Sequence, residues 1–211
     1  ATIVMGQNTP SIKVNAVRDR GAKVVLHGDN YDEASQHAET LCEAQGLVYI
    51  PPYDDVDVIA GQGTIGMEIV NQHSEPLDAI FVPVGGGGLV AGVAAYVKYL
   101  NPQTKIIGVE AQGSNCLDAA MRAGRRARLP IDQLDLFADG VSVAQIGKET
   151  FKVAKKYVDD VVVVNVDEIC AAIKDVFEDT RCVAEPAGAL AIAGMKRYVD
   201  AHPGMSHVVS I

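Results

Sequence analysis

The sequence predicts an α/β protein with a mainly parallel sheet, arranged in two lobes. Short apolar runs rich in β-branched residues alternate with longer segments whose apolar residues recur at helical spacing. The segments between successive strands are long enough for the helical crossovers that parallel strands require. The double proline Pro51-Pro52 interrupts this alternation. We therefore expect a small α/β domain at residues 1–55 and a large one at residues 56–211.

The first lobe is expected to alternate strand and helix. Thr9 can cap the first helix, because Pro10 suits the first helical position, and Gly21 can end it. The second helix carries an apolar face and can end at Gly46. The predicted elements are strand 2–5, the helix after Thr9, strand 23–26, a helix over residues 31–45, and strand 48–50.

The second lobe continues the same alternation. Asp167 can cap one of its later helices, and Glu185-Pro186 can open another. The predicted elements are a helix from about residue 57, strand 80–84, helix 89–100, strand 105–109, helix 117–123, helix 147–158, strand 161–164, helix 167–177, helix 186–198 and a core strand at 207–211.

Composition argues against several classes of protein. The hydrophobic fraction of 48% with 21% charged residues is typical of a globular chain and not of a disordered one. The net charge is −9, and the basic residues form no cluster beyond Arg125-Arg126, so we expect no nucleic-acid binding. No apolar run approaches the length of a membrane span, and no leader signature is present. These features predict a cytoplasmic protein without a membrane partner.

The cysteines have no spacing that indicates a metal site or a redox motif. The sequence contains four of them, far apart in apolar or helical contexts: Cys42, Cys116, Cys170 and Cys182. We expect reduced and mostly buried thiols.

The most informative stretch is VPVGGGGL at residues 82–89. An apolar strand ends there in four consecutive glycines, and a helical pattern begins directly after them. Glycines at such a position indicate a positive φ or a very close approach of a ligand to the backbone. Bare N–H groups at a helix N-terminus suit a phosphate, so we interpret the loop as a phosphate cradle. A flexible turn between strand and helix is the alternative.

Two nucleotide motifs are disfavoured. The glycine loop lacks the Lys-Ser/Thr pair with which a P-loop holds a nucleoside triphosphate. A second pattern, Gly61-Gln-Gly63-Thr-Ile-Gly66, matches GxGxxG by letters. It follows an acidic segment that suits a helix start and not a buried strand, so the dinucleotide interpretation fails its context test.

Five blocks in order along the chain resemble the threonine dehydratase family, which belongs to the fold type II, tryptophan-synthase-β-like pyridoxal-phosphate enzymes. The blocks are GAKVVLHGDNYDEA, PPYDDVDVIAGQGTIGMEI, VPVGGGGL, LFADGVSV and AEPAGALAIAGMK. The resemblance covers essentially the whole chain. It implies two open, twisted, mainly parallel sheets flanked by helices, with the cofactor phosphate in the large domain.

The resemblance also implies a function. Pyridoxal 5'-phosphate would be the cofactor of a lyase that dehydrates and deaminates L-threonine, and more weakly L-serine, to 2-oxobutanoate or pyruvate and ammonia. The enzyme would serve amino-acid metabolism, either isoleucine biosynthesis or threonine catabolism, as a homo-oligomer.

The residues that the resemblance assigns to cofactor binding lie in three places. The glycine loop with the residue after it would grip the phosphate, through the backbone of Gly85, Gly86, Gly87, Gly88 and Leu89. Gly140, in Asp139-Gly140-Val141, would lie beside the cofactor ring; an ordinary Asp-Gly turn is the alternative. Glu185 would lie near the pyridine side; helix capping is the alternative.

No metal is predicted. Glu110 occupies the place where relatives carry a glutamate that can join a cation site. The aspartate that accompanies it in those relatives is replaced by Cys116, a poor ligand for Mg²⁺ or Ca²⁺.

Several family motifs are absent from these 211 residues. The Schiff-base lysine of the family lies in an S-F-K-x-R-G type motif, and an S-x-G-N-H loop follows it; neither occurs here, so no catalytic residue is assigned. Lys13 imitates the lysine motif loosely, but it lies in a block that matches a different part of the family. Ser210 could be the serine that contacts the pyridine nitrogen only if Ile211 replaced a glycine.

Two hypotheses follow. The chain is the central part of a threonine dehydratase catalytic domain, inactive alone, or it is a non-catalytic phosphate-binding module. Within the enzyme class, the serine racemases and the cysteine-synthase group are rivals. Cys116 in place of an aspartate disfavours the first, and an unbroken run of four glycines disfavours the second.

Overall fold

The computed structural model describes residues 1–211, which form two compact units, Ala1–Ile50 and Pro51–Ile211. The first unit contains a two-stranded parallel sheet. Its elements are β1 (Thr2–Met5), α1 (Ser11–Asp19), β2 (Lys23–Leu26) and α2 (Tyr31–Gln45).

Helix α2 begins and ends as its sequence predicts. The Asn30 side chain accepts a hydrogen bond from the Glu33 amide, and Gly46 ends the helix with a φ of 62°. The core of this unit is small, since Val14 and Ala34 are its buried side chains.

Two predictions for the first unit are wrong. Residues 48–50 form no strand, and Val48 and Ile50 are 88% and 74% exposed. β-branched residues alone do not make a strand when no neighbouring strand pairs with them. Helix α1 is preceded by Pro10 and not capped by Thr9, whose amide donates instead to the Gly6 carbonyl in a turn.

The second unit is built on a four-stranded, wholly parallel sheet with strand order β5-β4-β3-β6. Its strands are β3 (Ala79–Pro83), β4 (Lys105–Ala111), β5 (Asp160–Val164) and β6 (Val208–Ser210). Its helices are α3 (Val56–Gln72), α4 (Gly88–Leu100), α5 (Cys116–Ala123), α6 (Lys148–Tyr157), α7 (Val166–Thr180) and α8 (Pro186–Ala201). Two short 3₁₀ turns lie at Ile131–Gln133 and Asp139–Val141. The predicted α/β fold with parallel sheets is confirmed.

The sheet separates two apolar layers. Ile80 and Val82 of β3 point to one side, where they pack in a cluster with residues of α4, α5 and α6. Ala79 and Phe81 point to the other side and pack with residues of α7 and α8. All four side chains are fully buried, so β3 is the central support of the unit and fixes where the loop after it lies.

The GxGxxG pattern lies inside α3, as its context predicted, and packs against α4. A Cβ atom built on Gly63 would lie 3.2 Å from the Gly92 carbonyl oxygen, and one on Gly66 would lie 3.2 Å from Val97 Cγ2. A Cβ atom on Gly92 would lie 2.3 Å from the Ile59 carbonyl oxygen. These three glycines therefore allow two helices to cross closely, which accounts for Gly63 and Gly66 by helix packing.

Three further expectations differ from the structure. Asn165, not Asp167, caps α7, because Asn165 and Glu168 form a reciprocal capping box. Strand β6 lies at the sheet edge and is half-buried, not a core strand. Of the four cysteines, Cys116 alone is buried, and Cys42 is half-buried. Cys170, on α7, and Cys182, just after α7, are exposed.

The division between the units falls before residue 51, five residues earlier than the proposed boundary at 55/56. Asp54 belongs with the second unit because its carboxylate accepts hydrogen bonds from the amides of Lys148 and Glu149. No helix in the structure combines the length and the apolar character that crossing a membrane requires.

Candidate phosphate-binding site

The glycine loop joins the carboxyl end of β3 to the N-terminus of α4. Gly87 precedes the helix with a φ of 92°, and no side chain caps it. The first-turn amides of Gly88, Leu89 and Val90 have no carbonyl one turn before them within the helix. Their N–H groups and the positive end of the helix dipole therefore offer an anion a binding position at the edge of a parallel sheet.

Protein atoms lie so close to the glycines of the loop that a side chain there would collide with them. A Cβ atom on Gly86 would lie 2.3 Å from the Tyr53 ring, and one on Gly85 would lie 3.0 Å from Val141 Cα. A Cβ atom on Gly88 would lie 3.0 Å from Tyr53 Cβ. Of the four glycines, Gly87 alone has a positive φ. At the other three positions, glycine leaves room for neighbouring protein atoms. The sequence does not reveal this need.

Two carbonyls of the loop are held by specific donors. The Gly86 oxygen accepts from the Thr150 hydroxyl at 2.8 Å and from the Gly147 amide at 3.2 Å. The Gly85 oxygen accepts from the Cys116 thiol at 3.4 Å. The loop is therefore tied to α6 and to the start of α5.

The 3₁₀ turn Asp139–Val141 lies next to the glycine loop and next to Glu185. Val141 packs against Gly85, as described above, and a Cβ atom on Gly140 would lie 3.3 Å from a Glu185 carboxylate oxygen. Glu185 occupies the position before α8, but its side chain makes no capping hydrogen bond there. The structure thus brings the glycine loop, Gly140 and Glu185 into one neighbourhood.

Glu110, near the carboxyl end of β4, is a fully buried acidic side chain. Its two oxygens accept hydrogen bonds from the amides of Leu117 at 2.7 Å and Asp118 at 2.8 Å, in the first turn of α5. Burial raises the pKa of Glu110 from 4.5 to about 8, and the two amide bonds oppose that rise. Burial and the Glu110 carboxylate raise the pKa of the Cys116 thiol, which stays protonated. The hydrogen-bond partners of the Glu110 carboxyl oxygens in this chain are thus two backbone amides.

The sequence patterns assign no role to three residues of this region, Tyr53, Asp54 and Thr150. Tyr53 and Asp54 lie in one of the blocks that resemble the family, but nothing in that block marks them as contacts of the glycine loop or of α6. Thr150 resembles any residue of a first helical turn. One indirect signal exists, since α6 is preceded by Gly147, which has no side chain to cap it and so needs an acceptor from elsewhere.

Comparisons with known proteins agree on one family. The family model described as pyridoxal-phosphate dependent enzyme matches residues 1–211. The biosynthetic L-threonine dehydratase of Pasteurella multocida is 56% identical over 202 residues, which are 96% of this chain and 39% of that protein. The Escherichia coli protein of the same name is 52% identical over 214 residues, 100% of this chain and 41% of that protein. The chain thus spans about two fifths of the curated relatives that it matches.

Solved structures give the same picture. The processed form of threonine deaminase isoform 2 from Solanum lycopersicum matches with a TM-score of 0.92 at 48% identity, over 100% of this chain and 61% of that one. Maize serine racemase matches with a TM-score of 0.90 at 31% identity, over 100% of this chain and 64% of that one. By its sequence, its fold and the family model that covers it, the chain belongs to the pyridoxal-phosphate dependent enzymes.

Proposed function

We propose that this chain is part of a pyridoxal-phosphate dependent threonine dehydratase, an ammonia-lyase that converts L-threonine to 2-oxobutanoate and ammonia. The observation that carries the proposal is identity of 52% to 56% with relatives that bear this name, over nearly the whole chain. L-serine would be a second substrate, giving pyruvate. The word biosynthetic in the relatives' names supports a role in isoleucine formation.

The residues present fit a phosphate-bearing cofactor. The amides at the start of α4 have neither a side-chain cap nor an intrahelical acceptor, so they suit a dianion. We infer that the backbone of Gly85, Gly86, Gly87, Gly88 and Leu89 binds the phosphate. Leu89 contributes its amide, because its side chain packs against the apolar core.

Gly140 and Glu185 would lie beside the cofactor ring. Their proximity to each other and to the glycine loop, through Val141, supports this placement. When bound, pyridoxal phosphate would act as the electron sink for the substrate Cα, a chemistry that no side chain here supplies. The backbone of Gly140 would border the ring without steric obstruction, and Glu185 would orient it by its charge.

The proposal concerns a protein that carries this chain together with the lysine motif of the family. Lys13 lies on α1 in the first unit, within a block that matches another part of the family, so we assign it no catalytic role. We propose a homo-oligomer in the cytoplasm with small-molecule substrates and no metal, nucleic-acid or membrane partner.

Serine racemization is the second candidate. Maize serine racemase shares the fold, but at 31% identity it is more distant than the threonine dehydratases. Cys116, which donates to the Gly85 carbonyl, stands where the resemblance implies an aspartate in metal-dependent relatives. We therefore favour the lyase.

The test is a substrate comparison with the product of the complete gene. The purified protein is saturated with pyridoxal phosphate, and keto acid release is measured with L-threonine and L-serine, while D-serine is measured by chiral chromatography. We expect 2-oxobutanoate from L-threonine as the dominant product. D-serine without keto acid would instead identify a racemase, and cofactor binding without turnover would identify a non-catalytic module.

A further inference from the structure

The carbonyl of Gly86 is the most firmly held backbone group of the glycine loop. It accepts from the Thr150 hydroxyl at 2.8 Å and from the Gly147 amide at 3.2 Å. Thr150 is fully buried, so this hydroxyl does not exchange its partner for water. The carbonyl is therefore directed toward the N-terminus of α6.

Because the peptide between Gly86 and Gly87 is planar and trans, the contact with the Gly86 carbonyl also fixes the direction of the Gly87 N–H. The chain contains no cis peptide bond, so the Gly86 carbonyl and the Gly87 N–H point in opposite directions. Because the carbonyl points toward α6, the Gly87 N–H points away from α6. Glycine has no Cβ to restrict its backbone, and without an anchor this peptide could rotate.

Asp54 holds the first turn of α6, which carries Thr150. Its carboxylate accepts from the amides of Lys148 at 2.8 Å, Glu149 at 2.7 Å and Thr150 at 3.4 Å. It replaces the cap that Gly147 lacks, and a Cβ atom on Gly147 would lie 2.5 Å from the Asp54 carboxylate. The first turn of α6, and with it the Thr150 hydroxyl, is held in place from a segment 96 residues away in sequence.

We propose that Thr150 is a positioning residue for the phosphate cradle: its hydroxyl holds the Gly86 carbonyl outward and so presents the Gly87 N–H to the cofactor phosphate. This inference rests on the proposed function, since the phosphate is that of pyridoxal phosphate. Thr150 itself does not contact the cofactor; it acts through the peptide that joins Gly86 to Gly87.

The test compares three threonine variants of the complete protein. Thr150→Val removes the hydroxyl at nearly constant volume, and Thr150→Ser retains it. Thr104→Val is the matched control, because Thr104 is also buried and its hydroxyl donates to the Leu77 carbonyl at 2.9 Å, before the amino end of β3. Each apo protein is titrated with pyridoxal phosphate and with pyridoxal, which lacks the phosphate, and unfolded in urea. The ³¹P resonance of the bound cofactor is recorded as well.

We expect Thr150→Val to weaken pyridoxal phosphate binding about tenfold, the value of one hydrogen bond, and to shift the ³¹P resonance. Pyridoxal affinity should stay within about twofold of the wild type, because pyridoxal has no phosphate for the loop to hold. Thr150→Ser should bind like the wild type. Thr104→Val should lower the urea midpoint about as much as Thr150→Val while leaving cofactor affinity unchanged. Thr150→Ala provides a second hydroxyl deletion if valine prevents folding.

Equal affinity of Thr150→Val and wild type for pyridoxal phosphate would overturn the inference and leave the proposed function standing. Equal loss of affinity in Thr104→Val would also overturn it, since a general effect on stability would then explain the result. A wild-type protein that binds no pyridoxal phosphate would overturn the proposed function and this inference together.

Discussion

Glu110 shows how one residue can make the stability of the second unit depend on pH. Its side chain is fully buried, and the amides of Leu117 and Asp118 donate to its oxygens. The amide bonds favour the carboxylate, whereas burial favours the neutral acid, and burial prevails: the pKa is raised to about 8. The native state therefore holds a proton that the unfolded chain releases near its ordinary pKa of 4.5.

The first prediction concerns this proton. A raised native pKa stabilises the fold below the unfolded value, and the stabilisation is lost as pH rises through the native value. We expect the free energy of unfolding to fall by about 1.4 kcal/mol for each pH unit between these two values through Glu110 alone. Glu110→Gln removes this dependence because its side chain does not titrate.

Urea unfolding of the wild type and Glu110→Gln at pH 5 and at pH 8.5 measures the difference. The variant should gain relative to the wild type at the higher pH. Parallel changes in both proteins would show that Glu110 is ionised throughout and that the amide pair outweighs burial. Asp118→Asn is an informative second variant, because it keeps the amide that donates to Glu110 and removes a nearby charge that raises the Glu110 pKa, so the loss of stability should begin at lower pH than in the wild type.

Among the secondary-structure elements, helices α3 and α4 cross at very short distance. Gly92 of α4 faces backbone atoms of α3, since a Cβ atom there would lie 2.3 Å from the Ile59 carbonyl oxygen and 2.6 Å from the Gly63 nitrogen. Gly61 lies in the same helix as Gly63, yet a Cβ atom on it would meet nothing within 4 Å. Glycine is therefore needed for close helix packing at position 92, whereas no neighbouring atom explains the glycine at position 61.

A pair of substitutions distinguishes these roles. Gly92→Ala forces two helix backbones apart and should lower the free energy of unfolding by about 1–3 kcal/mol. Gly61→Ala improves helix propensity at an open position and should raise it by up to about 1 kcal/mol. Circular dichroism in increasing urea measures both. Similar effects of the two alanines would mean that the crossing tolerates a methyl group and that the close approach is not required.

Local signals predicted the central elements, and non-local contacts explain what they missed. Strand β3, the glycine loop and α4 are continuous in sequence, so apolar pattern and glycine chemistry were enough to place them. The contacts that hold the loop join Gly86 to Thr150 and Asp54 to α6 over 64 and 94–96 residues. No periodicity reports such pairs. The strand expected at residues 48–50 failed for a related reason, since strand formation depends on a partner that sequence does not supply.

At the scale of the whole molecule, the two units differ in how much apolar surface each one buries. Val14 and Ala34 are the buried side chains of Ala1–Ile50, whose two-stranded sheet has partly exposed strands. In Pro51–Ile211, β3 and β4 are almost wholly buried between two apolar clusters. Ordering each residue costs about 1–2 kcal/mol of conformational entropy, which burial must offset within each unit.

We therefore predict that the 211-residue chain loses its first unit before its second. In hydrogen exchange with mass spectrometry over a urea series, amides of β1 and β2 should become exchangeable at lower urea than those of β3 and β4, because a two-stranded sheet with few buried side chains opens at low free energy. Gly92→Ala provides the matched control, as it should lower the opening energy of β3 and β4 and leave β1 and β2 unchanged. A single transition for all four strands would contradict the prediction and would mean that the chain unfolds as one cooperative body.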